Sequence, residues 1–243
     1  MRGKSNFDEG FAVLMQHKIL IAVTGIVFLV MEGVDLLAAM LVKGNMNSAV
    51  TMIIVLLETP MFFGAIKICI SACRNEQTSL GQLVEFYKPQ LLFKSLLYGV
   101  VAMVLYAVGV GGIVFMCLTI GVALYSDFIG FIALLACFIL MMMYMIKITP
   151  MFFIFVEHPE TGVGQALSDG WALTQGLMKD LLLVGWGIMW RSFLFSFIPL
   201  VIMLLFAQAH LSIVAVIIGV LFSVIIYAYF LAVSGSVWLE LNE

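Results

Sequence analysis

Charge is what this chain has least of. Asp, Glu, Lys and Arg make up 10% of its 243 residues, against roughly 25% in soluble domains. Hydrophobic residues reach 64% and the mean hydropathy is +1.20. That balance excludes a water-soluble globular domain and indicates an all-α, polytopic membrane bundle. Long basic runs are missing too, so the lipid bilayer is an expected partner and nucleic acid is not. The formal charge of −3 says little about partners, because several of the acids fall inside apolar runs. Cysteine is sparse: Cys69, Cys73, Cys117 and Cys137 lie in or beside hydrophobic stretches, where the thiol behaves as a small apolar group. No disulfide framework follows. Cys69 and Cys73 share a helix face, but no His lies near them in sequence and zinc takes four such ligands, so neither a metal nor another cofactor is expected.

Catalytic patterns are missing as well. Nucleophile-elbow, rhomboid-like Ser/His, HExxH and P-loop arrangements do not occur, and neither connecting elbow is large enough to house an active site. A non-enzymatic role is expected, with a lipid-acting membrane enzyme as the least favoured reading. The Met-rich run Met141 to Met145 is read as adaptable packing rather than a soft-metal path.

What is present is a series of apolar runs, each long enough to cross a bilayer at about 20 residues per span. A short amphipathic lead-in, Phe7 to Lys18, places Phe7, Phe11, Leu14 and Met15 on one helical face for the interface. The first run is longer than a signal-peptide core, so it is read as a retained helix. Six spans follow: Ile19–Val42, Ser48–Ala72, Leu91–Leu124, Phe128–Phe155, Leu181–Ala207 and Leu211–Trp238. Together they form a single membrane domain over residues 1–243. Between spans two and three, Ser79 and Gln82 form a capping-box pattern, and Leu80, Leu83, Val84 and Tyr87 follow as the apolar face of a short interfacial helix closed by Pro89. Span three exceeds one crossing and contains Gly109, Gly111 and Gly112, so it either tilts and protrudes or breaks at the glycines.

Lys and Arg fall asymmetrically. Arg2, Lys4, Lys18, Lys67, Arg74, Lys88, Lys94, Lys147 and Lys179 lie on or near the ends sharing one side of a six-span arrangement, and Lys43 lies on the other. Positive residues favour the cytoplasmic side. Both termini and both amphipathic elbows are therefore expected in the cytoplasm, with the spans in the inner membrane.

Proline is scarce, at five residues, yet Thr59-Pro60-Met61-Phe62-Phe63 recurs as Thr149-Pro150-Met151-Phe152-Phe153. Gly-Gln follows each copy (Gly81-Gln82, Gly164-Gln165), and a Leu pair opens the next span (Leu91-Leu92, Leu181-Leu182). The spacing indicates a parallel repeat of helical hairpins over 48–124 and 128–207. Coincidence in a narrow alphabet is the alternative.

The residues that point to chemistry are charges within the spans: Glu32, Asp35, Glu58, Lys147 and Arg191. A charge at the bilayer centre costs roughly 2.5–3.5 kcal/mol on insertion scales, so these should face inward and pair. Gly25, Glu32 and Ala39 mark a face suited to close helix contact. Arg191 is expected to meet Glu58 or Glu32; Lys147 either joins the cluster or snorkels to the interface. The set reads as a transport or proton site, or as an electrostatic clasp that holds helix register.

The central elbow carries a resemblance. Its features are Glu157-His158-Pro159-Glu160, Ala166-Leu167-Ser168 and Gly176-Leu177-Met178-Lys179, with Pro60, Gly64, Arg74, Glu76 and Leu83 upstream. In these the chain resembles a large bacterial family of uncharacterised six-span integral membrane proteins, similar to the membrane domain of some glycerophosphodiester phosphodiesterases. Asp169-Gly170-Trp171 stands where such proteins often place a Ser and basic residues. The resemblance implies a fold and a membrane address, and it carries over no catalytic residue.

Overall fold

In the computed structural model, which describes residues 3–27, 29–30, 46–124, 127–188, 190–191 and 212–242, every regular element is a helix. Four helical stretches are long and apolar enough to cross a membrane: Met52–Cys73, Pro89–Phe115, Ile139–Glu157 and Ser223–Leu241. A fifth candidate is a pair, Phe7–Gln16 and Ile19–Val27, bent by 92°. The protein is thus an all-α, membrane-embedded bundle. Most of the first and fifth expected spans lies outside the described residues. The helices fall into two compact units, one comprising Met1–Ser95 and Trp186–Glu243, the other Leu96–Gly185.

The first unit is built on α3 (Met46–Cys73). This helix is apolar all round, so composition alone does not say which side is buried. The division runs along its length instead. Met52, Ile53 and Leu57 before Glu58 are exposed, whereas Met61, Phe63, Ala65, Ile66, Ile68 and Cys69 beyond Pro60 are buried. Pro60 supplies no N–H, which releases the carbonyl of Leu56 from the helix ladder. The carbonyls on either side accept side-chain hydroxyls: Thr59 Oγ1 donates to Val55 O at 3.0 Å and Tyr87 Oη to Leu57 O at 2.8 Å. Past the end of α3, Asn75 lies in the left-handed region at φ 56°, a conformation Asn tolerates better than most residues.

The chain then folds back on α3 through a 3-10 helix, Leu80–Tyr87. Ser79 N–H donates to Gln82 Oε1 at 3.2 Å, so the Gln half of the capping box forms. The expected α-helical face is not the one used. A 3-10 helix brings residues three apart into line, and it is Leu83 and Phe86 that are buried while Leu80, Val84 and Tyr87 are exposed. Phe86 meets Phe63 with ring centroids 5.7 Å apart. Gly64 lets the backbones touch: a Cβ there would lie 2.6 Å from Leu83 Cα. Pro89 opens α4 (Pro89–Leu124), a first-turn position where a missing N–H costs nothing.

The lead-in α1 (Gly3–Gln16) and α2 (Ile19–Val27) belong to the same unit as α9 (Ser212–Asn242). α1 lies on α9. Its contact line is Phe7, Gly10 and Leu14, all buried, while Phe11 and Met15 are exposed, so the face expected to be shared is split. Gly10 explains the rotation. A Cβ there would lie 2.6 Å from Val233 Cγ2, so α9 can approach only along the glycine side.

The second unit repeats the arrangement locally. α5 (Asp127–Ile148) gives way at Thr149 to α6 (Pro150–Glu157), and Pro150 to Val156 are buried on every side. Thr149 Oγ1 donates to Met145 O at 2.8 Å, matching the Thr59 bond. α7 (Val163–Thr174) then folds back on α6 through Ala166, Gly170 and Thr174, spaced four apart and buried. Gly176, at φ +87°, turns the chain into α8 (residues 178–188 and 190–191). α4 is helical without a break over 36 residues, about 54 Å at 1.5 Å per residue, well beyond a hydrocarbon core of roughly 30 Å. Its glycines are not a hinge: Gly109 admits the ring of Tyr144, whose hydroxyl donates to Leu105 O at 2.7 Å, and Gly111 and Gly112 face open space. Tyr98 stacks on Phe155 at 4.1 Å and donates to Thr161 O at 3.2 Å.

Replacing Gly64 by Ala forces the 3-10 helix off α3 and should lower stability by about 1–3 kcal/mol, read as a lower unfolding temperature in detergent. Gly111→Ala meets nothing and should leave that temperature unchanged or raise it slightly. Equal behaviour of the two variants would refute the close approach.

Candidate functional site

The charged candidates separate into local settings. Glu58 is 7% exposed and is the one charged residue among those described that is buried. It immediately precedes Thr59-Pro60 on α3, beneath the end of the 3-10 helix. Tyr87 lies beside it: partial burial first, and then the Glu58 carboxylate, push the phenol above its ordinary value. Nine residues further along α3, about 14 Å by helical rise, Lys67 Nζ donates to both oxygens of Glu85 at 2.8 and 2.7 Å. One short helix thus brings Glu85 and Tyr87 onto the same stretch of α3 that holds Lys67 and Glu58.

Arg191, near the described end of α8, lies with its guanidinium 3.7 Å over the ring of Phe7, and Nη1 donates to Gly187 O at 3.4 Å. Gly187 makes room for that ring, since a Cβ there would sit 2.7 Å from Phe7 Cζ. Arg191 thus lies against Phe7 of α1 and its own helix and acts on Tyr229 of α9, while Tyr87 lies beside Glu58. Sequence reasoning looked for a carboxylate opposite Arg191 and missed Phe7. The available signal was Phe7 itself, an aromatic residue at the start of an amphipathic helix, with Gly187 one helical turn before the cation.

Lys147 belongs to the second unit. At the last turn of α5 it reaches over the Trp171 indole of α7, 3.8 Å from the ring centroid. Its ammonium thus meets an elbow residue of the same unit. Glu32 and Asp35 lie outside the described residues, and with them any Glu32–Arg191 pair. Gly25, on the same expected face, lies on α9 at 3.5 Å from Val224 Cγ1 for a built Cβ.

These arrangements hold helices and elbows in register through an ion pair and two cation–π contacts. Contacts of the latter kind are worth roughly 0.5–2 kcal/mol each, more when desolvated. Among the described residues no group of three His, Cys, Asp or Glu is placed to hold a metal ion. Comparisons with protein families, with curated proteins and with solved structures find no match.

Two outcomes test this geometry. Lys67→Glu or Glu85→Lys alone should lower stability by roughly 1 kcal/mol, and the double reversal should recover most of it; additive losses in detergent melts would contradict the pair. Because the folded chain favours the neutral Tyr87 phenol, that contribution is full below the ordinary tyrosine value of about 10. It fades as pH rises through the raised value. The difference between near-ultraviolet titrations of the wild type and Tyr87→Phe should show one late-ionising phenol. A phenol ionising at the ordinary value would refute the setting.

Proposed function

We propose that this chain is a non-enzymatic, multi-pass protein of the bacterial cytoplasmic membrane, related to the six-span family it resembles. It serves there as an accessory or envelope-associated factor that engages other membrane proteins through its elbows. The observation that carries this reading is the burial of Pro150 to Val156 on every side under α7. Interior volume at the most distinctive motif is given to packing. The elbows cover that packing and turn other residues outward, Val84 at 58% and Trp171 at 45% exposure. The Lys and Arg asymmetry favours a cytoplasmic position for these elbows and for both termini.

One observation favours a second reading, a small transporter or permease: the burial of Glu58 beside Tyr87 at a helix kink. Intramembrane acids of this kind commonly mark ion or substrate paths.

Accessibility to a membrane-impermeant thiol reagent separates the two. On a background with the native cysteines replaced, Val84→Cys and Trp171→Cys should label from the cytoplasmic face only, and Glu58→Cys and Arg191→Cys should stay unlabelled in well-inserted protein. Labelling at position 58 would overturn the packing reading in favour of a water-filled path, and labelling of the elbow positions from the outer face would overturn the orientation.

A further inference from the structure

Cys69 and Cys73 were set aside above because zinc needs more ligands than a helix turn supplies. The packed structure puts the two thiols in a different light. Both converge on Gly235 of α9: a Cβ at that glycine would lie 2.6 Å from Cys69 Sγ and 2.8 Å from Cys73 Sγ. The two sulfurs therefore meet over a point where the facing helix has no side chain. The Cys69 thiol also donates to Leu231 O at 2.9 Å, and the Cys73 thiol lies 3.8 Å from Ala232 O. The side chains packed around them include Ala65, Ile68, Ala72, Ala228 and Ala232, all small or apolar, with the Glu9 carboxylate near enough to act on Cys73.

The geometry points to a two-coordinate site for a soft monovalent cation, Cu(I), held between Cys69 and Cys73. Thiolates select Cu(I) over hard ions, and a two-thiolate set cannot complete the tetrahedron that zinc takes. Binding releases two S–H protons to water and forms two S–Cu bonds. The copper arrives already as Cu(I), and no electron moves. Cys69 is fully enclosed while Cys73, at the end of α3, is partly exposed, so the ion enters by way of Cys73. Gly235 is the specificity element, because any side chain there would occupy the space of both sulfurs.

The test uses the full chain in detergent, kept anaerobic, with Cys117→Ser and Cys137→Ser so that only the pair remains. Titrated against a chromophoric Cu(I) chelator, the protein should take up one Cu(I) per chain, Zn(II) should not displace it, and Cys73→Ser should weaken binding at least a hundredfold. A second readout needs no substitution. In the unaltered chain Cu(I) should slow alkylation of Cys73 by N-ethylmaleimide at least tenfold, followed by mass spectrometry, while Cys137 is unaffected. No uptake, uptake retained in Cys73→Ser, displacement by Zn(II), or alkylation of Cys73 indifferent to copper would each overturn the site.

Discussion

Everything in this structure depends on how the backbone is satisfied around a proline in a solvent that offers no hydrogen bonds. In the hydrocarbon core an unsatisfied carbonyl costs several kcal/mol, so a helix break survives only where protein covers it. Pro60 and Pro150 each remove one ladder hydrogen bond. In both places the preceding Thr returns its hydroxyl to the carbonyl four residues back, and the next helix in the chain folds back over the segment that follows. The Thr-Pro-Met-Phe-Phe run is thus a unit of construction: a proline within an apolar helical stretch, a Thr hydroxyl bonded back to the turn before it, and an elbow folded over the residues that follow, with Phe62 the one ring of the two copies left exposed. Its two occurrences differ in detail. α3 continues through Pro60 under a 3-10 cover, whereas α5 stops and α6 begins at Pro150 under an α-helical one.

The helical class, the apolar spans and the repeated run were legible because composition and spacing report them directly. The face of an elbow was not. Leu80, Leu83, Val84 and Tyr87 fit a helix of 3.6 residues per turn, but Gly64 opposite Leu83 allows backbone contact. The tighter winding then aligns Leu83 with Phe86, and nothing in the elbow's own residues announces Gly64. α1 teaches the same lesson: Gly10 and Val233 decide that Phe11 and Met15 turn away. Helices in lipid lack a hydrophobic drive toward one another, so close packing at small residues decides their faces. A hydrophobic pattern cannot show this, because every side of such a helix is apolar.

The charges illustrate a second limit. Reasoning from cost required each charge to find an opposite charge at its own depth. The described structure pairs Lys67 with Glu85, but at two other cations it answers with an aromatic face: Lys147 with Trp171, Arg191 with Phe7. With aromatics at 13% of the chain and charged residues at 10%, a ring is at least as available to a cation as a carboxylate. A ring brings no charge of its own into the membrane, so the pair has only one ion to desolvate.

Glu58 stands apart from that scheme, and the difference is chemical. A guanidinium keeps its charge at any ordinary pH and must be answered where it lies. A carboxyl group can shed its charge by taking up a proton, so an acid can occupy a depth that a basic residue could not. Burial of the acid is therefore compatible with a dry, packed centre as well as with an aqueous path, and burial alone does not choose between them. The surroundings lean one way. Glu58 sits beside a kink whose neighbouring carbonyls are already taken by Thr59 and Tyr87, beneath a helix held on α3 by backbone contact at Gly64 and by the Lys67–Glu85 pair. For water to reach it, that cover would have to lift, and the Gly64 contact, the Lys67–Glu85 pair and the Tyr87 bond to Leu57 O oppose the lifting.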